Sequence, residues 1–191
     1  MTLWTAVGIF TATIVGLFVQ LVHGSWQSIM TFGAGFLVGS QWNPVTSNFG
    51  ALPMIYGTLV SSFIAIALAA VVGIAAATFL AEFAPRQIAE PLASLVELLA
   101  AVPSVVYGLW GLFVLVPIFR EFVDPFLQRY LGFLPLFSGP IYGVGLLTAG
   151  IVLAIMILPT VTAISRDVIL AVARDQREAG MSLGATKWET T

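Results

Sequence analysis

The chain carries no aspartate, glutamate, lysine or arginine before Glu82, so a long N-terminal part is uncharged apart from His23. Over the whole chain, charged residues make up 8 % and apolar residues 59 %, whereas ordinary soluble domains have about 25 % charged residues. A water-soluble domain covers its surface with polar and charged side chains, which this chain lacks. The sequence therefore predicts an integral membrane protein and excludes a water-soluble enzyme, a nucleic-acid binder and a disordered linker.

Four stretches are long and apolar enough to cross a bilayer as helices, which takes about 20 residues. They cover residues 3–22, 54–81, 92–119 and 141–164. Because the runs are continuously apolar and exceed the roughly ten alternating residues of a barrel strand, the predicted fold class is all-α, a polytopic transmembrane helix bundle. A signal peptide is the alternative for the first run, but nothing basic precedes it and no good cleavage site follows it.

The basic residues predict how the spans are oriented. Segments 82–91 and 165–191 hold five of the seven lysines and arginines, and segment 120–140 holds the other two. Basic loops stay on the cytoplasmic side, so both termini are predicted to be cytoplasmic. Residues 1–53 then form the first transmembrane helix and an extracytoplasmic loop, and segment 120–140 forms a compact hairpin at the outer interface.

The second predicted span carries a small residue at every fourth position. Small residues let helix backbones approach closely in lipid, so we expect tight packing. Since a four-residue step drifts around a helix of 3.6 residues per turn, the series should face more than one neighbour. An alanine-rich span without special packing is the alternative. The series consists of Gly57, Ser61, Ala65, Ala69, Gly73, Ala77 and Ala81.

Polar and kinking residues mark the third and fourth predicted spans. Glu97 indicates either a polar pathway or a position near the cytoplasmic headgroups at a helix N-terminus, where the helix dipole favours a carboxylate. Pro103 and Pro159 remove backbone hydrogen bonds and should kink their helices. We expect the hydroxyls of the nearby threonines, Thr160 and Thr162, to bond carbonyls that Pro159 leaves free.

The C-terminal tail contains signals for two further helices. Asp175 is placed as an N-cap with Glu178 at the third helical position, and Gly184 suits the end of that helix. Thr186 and Glu189 repeat the capping pattern and should start another helix. Because no helix follows this second start signal, we expect the chain to be a C-terminally truncated protein.

The residues Glu178-Ala179-Gly180, followed by Gly184, resemble the EAA loop of ABC-importer permeases, in which E-A-A is followed by three residues and G. Glycine stands here in place of the third alanine. Further stretches resemble, within that family, the permease subunits of phosphate importers; the resemblance covers the chain well from about residue 40 and the first span loosely. These stretches are residues 42–44, 49–53, 56–58, 97–111, 137–140 and 156–159.

The resemblance implies a permease subunit of about six spans, of which four are present, in the cytoplasmic membrane of a bacterium. It implies three kinds of protein partner: a second homologous permease subunit, an ABC ATPase dimer and an extracytoplasmic phosphate-binding protein. Residues 54–191 would be a partial ABC-permease domain, ending in the coupling loop 175–191. ATP and magnesium would be bound by the ATPase, since this sequence has no G-x-x-x-x-G-K-[ST] loop.

Site residues follow from the same resemblance and from the span chemistry. Glu178, Ala179, Gly180 and Gly184 are expected to couple the permease to the ATPase. Candidates for the translocation pathway or a hinge are Glu97, Pro103, Ser104, Tyr107 and Pro159.

Three alternative functions remain at this point. The first is a permease for another oxyanion, such as molybdate or sulfate. An intramembrane enzyme would need paired acids, histidines or an activated serine, whereas Glu97 is the one acid in the predicted spans. The third is a non-transporting membrane assembly or anchor protein. Cysteine is absent and histidine occurs once, so we expect no catalytic residue, metal site or cofactor in this chain.

Overall fold

The structure, a computed structural model, describes residues 2–134, 138–186 and 189–190. It consists of two compact units, Met1–Tyr56 and Gly57–Thr191, which are described separately. Apart from one short hairpin, the secondary structure of the described residues is helical. In chain order the elements are α1 (Thr2–Phe32), α2 (Gly35–Val38), β1 (Trp42–Asn43), β2 (Asn48–Phe49), α3 (Leu52–Thr78), α4 (Arg86–Ala100), α5 (Ser104–Trp110), α6 (Val116–Ile118), α7 (Asp124–Leu131), α8 (Leu146–Ala171) and α9 (Arg174–Ser182).

Three π-helical segments continue helices of this set: Phe79–Phe83 extends α3, while Gly111–Leu115 joins α5 to α6 and Phe119–Val123 joins α6 to α7. With them, four helical stretches of the described residues are long and apolar enough to cross a membrane. These are Leu3–Phe32, Leu52–Phe83, Ser104–Leu131 and Leu146–Ala171. The all-α membrane fold class is thereby confirmed, although the helix bounds differ from the predicted ones.

The first unit begins with a helix that is longer than predicted. Helix α1 continues to Phe32, so His23 and Trp26 lie within the helix and not in a loop. The chain leaves the helix at Gly33, whose φ of +53° suits glycine because it lacks a Cβ atom. The apolar pattern alone placed the end of this helix too early, since the polar residues after residue 22 are compatible with a helix.

A small hairpin follows α1 in the first unit. Strands β1 and β2 pair antiparallel with Trp42 opposite Phe49, and their rings meet edge to face at a centroid distance of 4.9 Å. The turn is stabilised by Asn43, whose side-chain oxygen accepts the N–H groups of Val45 at 3.0 Å and Thr46 at 3.4 Å. The predicted outer loop is therefore a folded motif.

Helices α3 and α8 form the centre of the second unit. Ala65, Ala69 and Ala154 make its buried apolar cluster. A Cβ atom on Gly150 would lie 2.7 Å from Ile64 Cγ2, and one on Gly73 would lie 2.9 Å from Val161 Cγ1. Since the contacts advance in the same direction along both helices, α3 and α8 run parallel.

The small-residue series of α3 packs as predicted but with a different distribution of neighbours. Its members from Ser61 to Ala77 are buried. One helix, α8, contacts this face from Ser61 to Gly73, whereas the drift argument predicted more than one neighbour along the whole series. The contact persists because α8 presents small residues of its own, Gly150 and Ala154, at the levels where the backbones approach.

The predicted third span, residues 92–119, is divided in the structure. Helix α4 ends at Ala100 and α5 starts at Ser104. Between them Pro103 lacks an N–H group and is extended, with ψ of 136°, and a proline also disfavours helical geometry at the residue before it. The membrane-long stretch therefore begins twelve residues later than predicted, at Ser104.

The outer segment also differs from its prediction. Residues 120–131 are helical, so Arg120 and Arg129 lie at the end of the long stretch Ser104–Leu131 and not in a hairpin. Pro125 directly follows the start of α7, next to the π-helical segment Phe119–Val123, and its missing N–H leaves one helix hydrogen bond unmade. The chain then returns through Gly143, whose φ is +74° and whose N–H donates to Asp124 Oδ2 at 3.2 Å.

Candidate functional site

Helix α9 carries the residues that resemble the EAA loop. It starts one residue before Asp175, after the extended residue Ala173. The predicted N-cap role of Asp175 is wrong, because Asp175 occupies the first turn and the cap has no side-chain hydrogen bond. A carboxylate in that turn still interacts favourably with the helix dipole. The chain leaves α8 and turns into α9 within two residues, Val172 and Ala173.

The end of α9 is a Schellman turn centred on Gly184. The N–H of Ala185 donates to the carbonyl of Gly180 at 3.3 Å, and the N–H of Gly184 donates to the carbonyl of Met181 at 3.0 Å. Gly184 has a φ of +90°, which glycine adopts without a steric penalty. The predicted helix end at Gly184 is confirmed.

A capping box follows this turn. The backbone N–H and the hydroxyl of Thr186 both donate to Glu189 Oε2 at 2.8 Å, and the N–H of Glu189 donates back to Thr186 Oγ1 at 3.4 Å. These bonds from Thr186 lower the pKa of Glu189, because they stabilise its carboxylate form. The reciprocal pattern predicted for the two residues is present. Lys187, Trp188 and Thr191 of the predicted coupling loop lie outside the described residues.

The four predicted coupling residues lie close together on α9 and its turn, but they differ in exposure. Glu178 and Ala179 are exposed, while Gly180 is half-buried. Position 180 has a neighbour that sequence reasoning missed: a Cβ atom there would lie 2.8 Å from Thr190 Cγ2. The only sequence signal for this contact was the departure from alanine to glycine at the third motif position.

Glu97 lies outside the helical stretches that are long enough to span a membrane. It stands in the last turn of α4, so its predicted place at a helix N-terminus is wrong. The spacing puts Glu97 on the same face as Arg86 and Glu90, and all three are exposed. Ala89 and Ala93, which the same spacing places on an adjoining strip of α4, are buried, and α4 packs against α8.

Three other pathway candidates meet at the break between α4 and α5. Pro103 precedes α5, and Ser104 is its first residue. The hydroxyl of Tyr107 donates to the carbonyl of Leu99 at 2.9 Å. Leu99 belongs to the last turn of α4, whose carbonyls lack partners within the helix. Tyr107 therefore links the two helices across the break.

Pro159 lies apart from this group, buried inside an uninterrupted α8. Thr162 is 1 % exposed, and its hydroxyl donates to the carbonyl of Leu158 at 2.9 Å. The carbonyl that a proline at position 159 leaves free in an α-helix is that of Ile155, so the predicted partner of Thr162 is wrong. A threonine in a helix reaches its own i−4 carbonyl most easily.

One protein family accounts for both the helical membrane fold and the capped loop. Its description is "Binding-protein-dependent transport system inner membrane component", and its sequence pattern matches residues 69–191. The chain belongs to this family. The description names a membrane component of a transport system, in agreement with the predicted transport subunit.

Several curated proteins are similar to this chain over most of its length. The phosphate transport system permease protein PstC of Mesorhizobium japonicum is 47 % identical over 92 % of this chain and 55 % of its own length. The protein of that name from Pasteurella multocida is 47 % identical over 89 % of this chain and 54 % of its own. That of Xylella fastidiosa is 42 % identical over 99 % and 60 %.

The chain thus spans little more than half the length of the curated relatives it matches. No solved structure matches it.

Proposed function

We propose that the protein is a permease subunit of an ATP-driven importer that moves inorganic phosphate across the cytoplasmic membrane of a bacterium. The observation that carries this proposal is the identity of 42 to 47 % to three proteins named as phosphate transport permeases, over 89 to 99 % of this chain. The motif stretches after residue 40 favour the same substrate. Among the residues that the structure describes, no feature favours molybdate or sulfate.

The proposed assembly contains three further components. They are a second homologous permease subunit, a dimer of ABC ATPases that binds ATP and magnesium, and an extracytoplasmic phosphate-binding protein. The family description supports the last of these, since it names a binding-protein-dependent system. Membrane lipid covers the apolar helix faces, and both termini of this chain face the cytoplasm.

The geometry of α8 and α9 suits a mechanical connection to the ATPase. Helix α8 is continuous from Leu146 to Ala171, and only two residues separate it from α9. A displacement of α9 by the ATPase would therefore move α8. Through the close contacts at Gly73 and Gly150, α8 would carry α3 with it, because tightly packed helices shift together and do not deform freely.

Glu178 is the residue of α9 that we expect to contact the ATPase directly. It is exposed, and its carboxylate would be recognised by cationic or N–H donor groups in the partner. The pathway candidates enter this proposal at three places. Pro103, Ser104 and Tyr107 belong to the helix break, where a hinge would act. Pro159 belongs to the buried face of α8, and Glu97 lies on an exposed face of α4.

The proposal is tested with the complete product of the native gene, reconstituted in proteoliposomes with its permease partner, ATPase and binding protein. We expect ATP-dependent uptake of radiolabelled phosphate that excess sulfate or molybdate does not reduce. Strong competition by either anion would support the alternative oxyanion permease instead. Failure of the ATPase to co-purify with the chain would support an assembly or anchor role.

A further inference from the structure

The inference rests on the proposed function and concerns which side of α9 is available to the ATPase. Gly180 stands at the third position of the coupling motif, yet it faces a residue of its own chain. A Cβ atom at position 180 would lie 2.8 Å from Thr190 Cγ2 and 3.8 Å from Thr190 Cβ. The first distance is shorter than two carbon atoms normally approach, so the contact requires glycine as long as Thr190 keeps its methyl group in place.

Thr190 is held at this place by hydrogen bonds that do not involve Gly180. Its N–H donates to the carbonyl of Thr186 at 3.2 Å, and its hydroxyl donates to the same carbonyl at 3.3 Å. The Schellman turn fixes Gly184 and Ala185 relative to α9, and the capping box fixes Glu189, the neighbour of Thr190, relative to Thr186. The turn therefore folds back on α9.

The other side of α9 carries different side chains. Glu178 and Met181 are three residues apart and share a helix face, whereas Gly180, two residues from Glu178, does not. Glu178 is exposed, and 46 % of Met181 is exposed. An exposed methionine beside a carboxylate suits a partner groove with an apolar floor and a cationic rim.

We propose that Gly180 is a positioning residue that packs against Thr190, and that the ATPase docks on the opposite face of α9, formed by Glu178 and Met181. The third motif position thus sets the orientation of α9 and does not contact the partner. Alanine at this position, as in the family motif, fits only where residue 190 has no methyl group directed at it.

The contact itself is tested without the ATPase. The native chain has no cysteine, and the 3.8 Å between the two Cβ positions is within the usual disulfide range of about 3.5–4.5 Å. The variant Gly180→Cys/Thr190→Cys should form an intramolecular disulfide in most chains after oxidation with copper phenanthroline, as measured by thiol titration and mass spectrometry. The matched pair Glu178→Cys/Thr190→Cys should keep its thiols. Equal oxidation of both pairs, or of neither, would overturn the inference.

The positioning role is tested in the complete complex. Gly180→Ala should lower both the amount of co-purified ATPase and the phosphate uptake about fivefold, because the added methyl group displaces Thr190. Adding Thr190→Ser removes the opposing Cγ2 atom and keeps the hydroxyl, and should restore both quantities to within about twofold of the native complex. A loss that persists in the double variant means that Gly180 contacts the ATPase, and an unimpaired Gly180→Ala variant means that the contact is unimportant. Either result overturns the role.

The failure of the proposed function is distinguishable from these outcomes. If the native complex takes up no phosphate or retains no ATPase, the proposed function fails, while the disulfide experiment still decides the contact. Gly16→Ala is the matched control for a methyl group added to a helical glycine, since a Cβ atom at position 16 would have no atom within 4 Å outside the adjoining helix backbone. It should leave uptake within about twofold of native.

Discussion

The α3–α8 contact and the α9 turn are held together in different ways. Between α3 and α8 the backbones approach closely because Gly73, Gly150 and alanines face the contact. The α9 turn instead depends on hydrogen bonds, from the Schellman turn to the capping box. In lipid there is no hydrophobic force between apolar helices, so close packing determines how strongly two helices associate. In water, free helix ends must be capped.

The largest effect is expected from added bulk between α3 and α8. Gly150→Leu would overlap Ile64, which lies 2.7 Å from the Cβ position, and should destabilise the helix pair by about 3 kcal/mol. Thermal unfolding in detergent measures this loss. Gly108→Leu is the matched control, because a Cβ atom at position 108 would have no atom within 4 Å outside the adjoining helix backbone. Equal stability of the two variants would contradict the close contact.

A charge reversal in the α9 turn tests the other region. Glu178→Arg should reduce co-purification of the ATPase about tenfold, since it replaces a carboxylate by a cation at the proposed interface. The unfolding temperature should stay native, because Glu178 is exposed and far from the α3–α8 contact in sequence. Quantitative immunoblotting of the purified complex gives the ratio. Undiminished co-purification would remove Glu178 from the interface.

The break between α4 and α5 resembles both regions. Like the α3–α8 pair it lies next to a membrane-long stretch, and like the α9 turn it is held by a hydrogen bond. Tyr107→Phe removes the bond to the Leu99 carbonyl and should cost about 1 kcal/mol. Thermal unfolding would measure this loss of stability, and limited proteolysis near residues 101–103 would measure the opening of the break. Tyr142→Phe is a matched control, because Tyr142 lies outside the break. Identical behaviour of the two variants would show that the bond does not stabilise the break.

The smallest effect concerns pH. Since the bonds from Thr186 lower the pKa of Glu189 in the folded turn, the stabilisation is present above the ordinary glutamate pKa. It is lost as the pH falls below the ordinary glutamate pKa and through the lower folded value. The amide shift of Thr186 in threonine-labelled protein would follow this titration. In Glu189→Gln, which keeps the box but not the charge, the transition should vanish.

The sequence predicted the features that depend on neighbouring residues. Gly184 ends its helix, Thr186 and Glu189 form their box, and the small residues of α3 are buried. Each depends on spacing within a few residues, where backbone geometry leaves few choices.

Features that involve distant or competing interactions were missed. Hydropathy did not separate α4 from a span, because the exposed face with Leu92, Leu95 and Leu99 is as apolar as a membrane helix. The bond from Tyr107 to Leu99 and the contact of Gly180 with Thr190 depend on how the chain folds back, which no periodicity encodes. The bounds of α1 were wrong because a polar helix end and a loop have similar composition.

The parallel course of α3 and α8 has an electrostatic consequence. Helix dipoles add when helices run side by side in one direction, so the two C-terminal ends place partial negative charge at the same end of the pair. Neither the helical stretch that ends at Phe83 nor α8 has a basic residue in its last turn. A basic side chain of these helix ends therefore does not offset that field. This end of the helix pair attracts cationic groups of neighbouring segments instead.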